Sequence, residues 1–261
     1  MWYYFMEIQI MAMDESYLKA FAAFNDRGNY REVYVNAMRK IFTDVKLRGV
    51  RSCLAIGAGD GWYELEFLKH CEANISKFIG IEPDHASAEH LRTSLRSSLS
   101  GVESQVFETD IEKWGGPSIR VDLIMIFHVL YYVPEDERQE FLKKIHDSWL
   151  VPGGYVALVT ASRSESPIGV DRVFELLGSP TPTWEEVEAM FQKAGFTKQY
   201  EHEMHVKKDF SGPCEDLLPF FQPYDKKGST TLDDLRNAMK GPFSEGKVDE
   251  FSMIAVFKST K

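Results

Sequence analysis

One stretch constrains the fold of this chain more than any other: Ser52-Cys-Leu-Ala-Ile-Gly-Ala-Gly-Asp-Gly61, an apolar run that ends in glycines at alternate positions. A helix-forming stretch follows it, as expected where a buried strand turns into the helix of a βαβ unit. Glycines in such a turn remove the Cβ atoms that would hold a ligand away from the backbone. A second apolar run, Phe78-Ile-Gly-Ile-Glu-Pro83, stops on a carboxylate. A carboxylate there can accept hydrogen bonds from both hydroxyls of a ribose. Together the two segments describe a socket for an adenosine-bearing ligand.

The spacing narrows the choice of ligand. A dinucleotide fingerprint reads G-x-G-x-x-G, with its pyrophosphate on a helix N-terminus. Here Gly57, Gly59 and Gly61 give G-x-G-x-G, and Trp62 crowds the space where the third glycine would fall. Asp60 adds a negative charge that opposes a phosphate and suits a sulfonium. The pattern resembles the first motif of class I S-adenosylmethionine-dependent methyltransferases, whose cofactor has no phosphate. A nicotinamide enzyme is disfavoured by Trp62.

The periodicity along the chain predicts an α/β fold. Two helices cover 14–45, with Tyr17, Phe21 and Phe24 at helical spacing and a break at Asn25-Asp-Arg-Gly28. Strands at 52–57, 77–82, 104–108, 121–127 and 155–160 alternate with helices at 61–72, 84–99 and 134–149, and Gly153-Gly154 turns the chain into the fifth strand. Such alternation demands a mostly parallel sheet covered on both faces. Beyond it come a short helix at 169–177 and a helix opened by the capping box Thr183-Trp-Glu-Glu186 and closed by Gly195. A strand at 197–208, an irregular insertion with helical pieces (214–221 and 232–240) and a last strand at 250–257 complete a seven-stranded, Rossmann-like sheet. The expectation is one domain: a leader and helical cap over 1–47, a cofactor-binding core over 48–160, and a C-terminal half whose insertion at about 209–245 walls the substrate pocket.

Methyl transfer from a sulfonium is an in-line displacement, which asks the protein chiefly to align donor and acceptor and to exclude water. No nucleophile or metal is required. The residues expected to hold the cofactor are Gly57, Ala58, Gly59, Gly61, Glu82, Pro83, Thr109, Asp110, Ile111 and Phe127. Glu82 takes the ribose and Asp110 the adenine amino group, although Asp110 reads equally well as a helix N-cap. The fourth strand runs into His128-Val-Leu-Tyr-Tyr-Val133, and side chains leaving its carboxyl end face the reacting groups of a doubly wound sheet. His128 is the expected catalytic residue, by hydrogen-bonding the acceptor or taking its proton; a structural histidine is the plainer alternative. Tyr131 and Tyr132 offer aromatic faces to a cation, or, as expected for Tyr132, simply pack under the next helix.

Over nearly its whole length the chain resembles the histamine N-methyltransferase family. The resemblance rests on Ile56-Gly-Ala-Gly-Asp-Gly61, Ile81-Glu-Pro83 and Met125-Ile-Phe-His-Val-Leu-Tyr-Tyr-Val133, and on the ends Ser16-Tyr-Leu-Lys-Ala-Phe-Ala-Ala-Phe24 and Glu250-Phe-Ser-Met-Ile-Ala-Val-Phe257. It implies a monomer that methylates a small-molecule amine, with N-terminal helices folded over the pocket. The family's substrate glutamate falls on Tyr30, with Glu32 two places away. Its glutamine falls on His128, and its asparagine on Asp249, or on Glu250 after a slip of one. The substrate set implied is Tyr17, Tyr30, Glu32, His128, Tyr131, Tyr132 and Asp249. A site built to hydrogen-bond one polar ligand rejects others, so these differences weigh against histamine itself. Asp249 reads as a cation anchor or as a solvated residue at a strand entry.

A net charge of −10 argues against a nucleic-acid partner and suits a cationic small molecule. Three cysteines without pairable spacing suit a reducing compartment, and the apolar segment 1–13 carries Glu7 and is too short to span a bilayer. A cytoplasmic enzyme free of membrane is the expectation. The leading reading is transfer to the nitrogen of an imidazole- or aromatic-bearing amine. An O-methyltransferase with His128 as base, and a ligand-binding fold without catalysis, stay open.

Overall fold

Residues 15–116, 120–164, 166, 168–211, 215–222, 231, 233 and 246–261 are described by a computed structural model of the chain. The leader 1–13, Cys214 and the expected helical piece at 232–240, apart from Asp233, lie outside the described residues.

Seven strands form one sheet: β1 (Ser52–Ile56), β2 (Lys77–Ile81), β3 (Glu103–Phe107), β4 (Val121–Phe127), β5 (Leu150–Ala161), β6 (Phe196–Asp209) and β7 (Lys247–Ser259). Their order is β3-β2-β1-β4-β5-β7-β6. The first five run parallel, and β7 lies antiparallel between β5 and β6. The chain reverses its strand order between β1 and β4, which is where open α/β sheets form a crevice at their carboxyl ends. The central strands β1 and β4 are buried almost throughout, because helices cover both faces.

One face is covered by α2 (Tyr30–Asp44), α3 (Trp62–His70) and α4 (His85–Ser98), whose Met38, Ile41, Phe67 and Leu91 join Cys53, Met125 and Val256 in a common core. The other is covered by α5 (Arg138–Lys144) and α7 (Trp184–Lys193), whose Leu142, Val187 and Phe191 meet Leu54, Ile126 and Phe257. The predicted capping box is present at α7: the Thr183 side chain accepts from the Glu186 N–H, and Glu186 accepts from the Thr183 N–H. Such a cap contributes about 1 kcal/mol.

Several boundaries differ from the sequence expectation. The helix expected from Pro134 begins at Arg138, since Pro134-Glu-Asp-Glu137 closes a turn onto the Pro134 carbonyl, and its last turn widens to a π-helix over Ile145–Trp149. Gly153 and Gly154 do not precede β5 but lie within it, where the pairing register with β4 shifts. The last two strands are also longer than expected and pair along their whole length.

The two N-terminal helices part company. Helix α2 sits on the sheet beside α3 and β6. Helix α1 (Glu15–Asp26) instead packs on α6 (Asp171–Leu176), Phe210 and the short helix α8 (Leu218–Phe221) of the insertion, in a small core built on Tyr17, Phe24, Phe220 and Phe221. The linker between them is fastened to β6: the Asp209 N–H donates to the Arg27 carbonyl at 2.8 Å and the Lys207 N–H to Asn29 Oδ1 at 3.1 Å. No helix among the described residues is long and apolar enough to cross a membrane.

Candidate active site

The glycine turn sits at the carboxyl end of β1. Gly57 and Gly59 adopt left-handed φ values of +60° and +53°, which a Cβ would strain. Their surroundings differ. A Cβ on Gly57 would lie 2.6 Å from Val129 Cγ2, so that glycine lets the β4 exit pack against the turn. A Cβ on Gly59 would meet no described residue within 4 Å. The backbone of Gly59 therefore opens onto free space, the form a ligand cradle takes.

Glu82 stands across this opening. Its Oε2 accepts the Gly59 N–H at 2.8 Å and its Oε1 the Asp84 N–H at 3.0 Å, so each oxygen keeps acceptor capacity. Burial pushes its pKa up, against the pull of those two N–H groups. Two hydroxyls of a ribose, as donors, would complete a carboxylate placed this way. Ala58 is buried in the turn, and Gly61 flanks the first residue of α3. Pro83 is exposed and leads into Asp84, which caps α4 by accepting from the Ser87 N–H.

Beyond β3 the expected adenine contacts occupy a turn. Asp110 holds Lys113 Nζ at 2.6 Å, and its carbonyl accepts the N–H groups of Lys113 and Trp114. The side chain caps no helix. Thr109 and Ile111 flank it half-buried, with Phe107 exposed by 39% one strand-end away. Phe127 lies buried in the core against Phe67, their ring centroids 5.5 Å apart.

The expected acceptor side is built of aromatic rings. His128 leaves β4 with a φ of +58°, while its N–H stays bonded to the Val159 carbonyl. Its Nε2 forms a short hydrogen bond with the Tyr34 hydroxyl. The rings of Tyr34, Tyr63 and Tyr131 lie 5.7, 5.5 and 6.3 Å from the imidazole. Tyr30 extends this wall, 5.6 Å from Trp62 and 6.3 Å from Tyr63. Tyr131 and Tyr132 share a 3-10 turn, and the Tyr132 hydroxyl meets that of Tyr17 at 2.9 Å. Tyr132 thus reaches α1 through its hydroxyl. Burial pulls His128 down to about 4, with Glu250 opposing and Lys208 reinforcing the shift.

The structure brings Tyr17, Tyr30, His128, Tyr131 and Tyr132 to one edge of the sheet. It does not bring Glu32, which is exposed on the first turn of α2. Asp249 also stands apart. Alternate residues of a strand point to opposite faces, and Asp249 is on the face away from α2, 2.7 Å from His205 Nε2 and 3.2 Å from Ser166 Oγ. Glu250 shares the face of Tyr34 and His128. Its Oε2 is 3.0 Å from Lys208 Nζ, which is fully buried and also donates to the Phe24 carbonyl. Sequence reasoning missed Tyr34, Tyr63 and Lys208. Tyr34 follows Tyr30 by four residues on one helix face, a signal that was available; Lys208 gave none, since a lysine near a strand end reads as solvated.

A family model described as a methyltransferase domain matches residues 13–202. The BH2331 protein of Bacillus halodurans C-125, described as a candidate methyltransferase, has a solved structure 14% identical that superposes with a TM-score of 0.62, covering 87% of this chain and 99% of its own. The N-methyltransferase NodS of Bradyrhizobium japonicum WM9, in complex with S-adenosyl-L-homocysteine, is 14% identical, with a TM-score of 0.57 and coverage of 95% of this chain and 100% of its own. The mitomycin 7-O-methyltransferase MmcR is 16% identical, with a TM-score of 0.53, and covers 87% of this chain and 54% of its own. Among curated proteins no sequence matches.

Proposed function

From the premise that this chain belongs to the methyltransferase-domain family, with S-adenosylmethionine as cofactor, we propose that it methylates the nitrogen of a small amine, histamine-like in carrying an imidazole or aromatic ring. The observation that carries this reading is the enclosure of His128 by Tyr34, Tyr63 and Tyr131 directly beside the glycine turn. Flat, electron-rich walls suit a ring or a developing cation.

The cofactor, when bound, supplies a methyl group on a sulfonium, and transfer forms a C–N bond while the C–S electron pair stays on sulfur. The residues here do the rest. Gly59 admits the cofactor close to the backbone, Gly57 lets the turn pack on Val129, and Glu82 holds the ribose. The tyrosines exclude water and orient the acceptor. The acceptor attacks as the free amine, and the methylated ammonium releases its proton afterwards.

Charge supports nitrogen over oxygen. A phenol or acid needs a base to become a nucleophile, and His128, held at about 4, is a weak one. Glu250 is already paired with Lys208 and so is not a free anion beside the acceptor. A panel of amines, histamine included, and of phenols and carboxylic acids, assayed with radiolabelled cofactor, tests the proposal. Methylated amines are expected; methylation of phenols or acids alone would overturn it.

A further inference from the structure

Tyr34 is 1% exposed; its hydroxyl is bonded to His128 Nε2 and has beside it the buried hydroxyl of Ser252 of β7, which finds no other partner among the described residues. A buried O–H left without an acceptor is costly, and both hydroxyl protons find one only when Ser252 donates to Tyr34 and Tyr34 donates to Nε2; the reverse order strands the Ser252 proton. Nε2 is then the acceptor, and a neutral imidazole carries its proton on the other nitrogen. Burial strengthens both premises: the Tyr34 hydroxyl is held protonated far above its ordinary value, and His128 is held neutral. The groups around the pair leave this arrangement standing. Tyr30 of α2, Tyr63 of α3 and Tyr131 after β4 contribute rings, and Glu250 of β7 is paired with Lys208 of β6. His128 Nδ1 has no hydrogen-bond partner among the described residues, and the side chain is half-buried rather than sealed.

We propose that Tyr34 is a positioning residue that fixes the Nδ1–H tautomer of His128, so that the site presents a hydrogen-bond donor and selects amines carrying a second, hydrogen-bond-accepting atom such as a ring nitrogen or a carbonyl oxygen. This rests on the amine reading above and names the class of acceptor within it. The Nε2 lone pair is taken by Tyr34, so His128 reads the acceptor and removes no proton from it. The lone pair of the methylated nitrogen stays free for attack, because the contact is made to a different atom of the same molecule.

Pairs of amines matched in shape test the idea. Of the pyridylethylamines, at least one isomer is expected to exceed phenethylamine about tenfold in kcat/KM, the worth of one hydrogen bond in a dry site. Tyr34→Phe should collapse that ratio toward one through KM, with cofactor affinity unchanged. Equal treatment of all these amines by the unsubstituted enzyme overturns the proposal. Nitrogen-15 NMR of the cofactor-loaded protein reads the tautomer without any turnover. A protonated Nδ1 and a hydrogen-bonded, unprotonated Nε2 in His128, lost in Tyr34→Phe, are expected; a protonated Nε2 overturns the assignment. If no amine is methylated, the function reading falls alone, and the spectrum still decides the tautomer.

Discussion

Lys208 Nζ lies 3.0 Å from Glu250 Oε2, with the lysine side chain fully buried and the glutamate 13% exposed. The same ammonium sits 3.9 Å above the Phe24 ring and donates to the Phe24 carbonyl in the last turn of α1. One cation therefore joins the N-terminal helix to β7 at the edge of the proposed acceptor pocket. A buried pair of this kind is costly to break and often cheap to replace. Glu250→Ala is expected to destabilise the fold by about 3–5 kcal/mol, because it strands the ammonium. The double variant Lys208→Met/Glu250→Leu should recover most of that loss in urea titration. A double variant no more stable than Glu250→Ala alone would show that the pair itself is needed.

Glu82 faces the open side of the glycine turn with acceptor capacity on both oxygens. Hydrogen bonds to a charged group contribute about 1.5–3 kcal/mol, so Glu82→Ala should weaken cofactor binding at least tenfold. Calorimetry with S-adenosylmethionine checks this, and circular dichroism should show the fold retained.

Gly57 and Gly59 should separate stability from binding. Gly57→Ala drives a methyl into Val129 and is expected to lower the melting temperature markedly. Gly59→Ala meets no atom of the described residues; it costs about 1–2 kcal/mol through its left-handed backbone alone, and its methyl would intrude where the cofactor is proposed to lie. The expected signature is a modest loss of stability with a large loss of cofactor affinity, measured on the same sample.

His128 makes stability depend on pH with a definite sign. Burial lowers its pKa from 6.5 to about 4. Between those values the unfolded chain binds a proton that the folded chain does not. Its contribution is fully present above about pH 6.5 and is lost as pH falls toward 4. His128→Asn, which keeps a residue tolerant of the left-handed backbone, should flatten the slope of stability against pH in that window by up to about 1.4 kcal/mol per unit. Urea midpoints at several pH values give the slope.

Neighbours on β7 should behave differently. Glu250→Gln keeps the shape beside His128 and is expected to raise the acceptor KM severalfold. Asp249→Asn alters the opposite face, at His205 and Ser166, and should leave acceptor kinetics within twofold. A larger effect from Asp249→Asn in steady-state assays would refute this assignment of faces.

The cofactor side of the molecule was legible because its signals are local. An apolar run into alternating glycines, a carboxylate at the end of the next run and a capping box at Thr183 each specify a conformation within a few residues. The alternation of periods called for a mostly parallel sheet for the same reason, since each element must bury its own apolar face. The acceptor side depends on which distant elements meet. Whether Asp249 or Glu250 enters the pocket turns on the register of one strand, and a slip of a single residue exchanges its faces. Tyr34 and His128 are 94 positions apart, and only the packing of α2 on the sheet joins them. Lys208 reads as a solvated residue until β6 carries it under α1, where desolvation leaves an anion and a carbonyl as its partners. Local conformational preference thus determined the cradle, and long-range burial decided the chemistry that faces it.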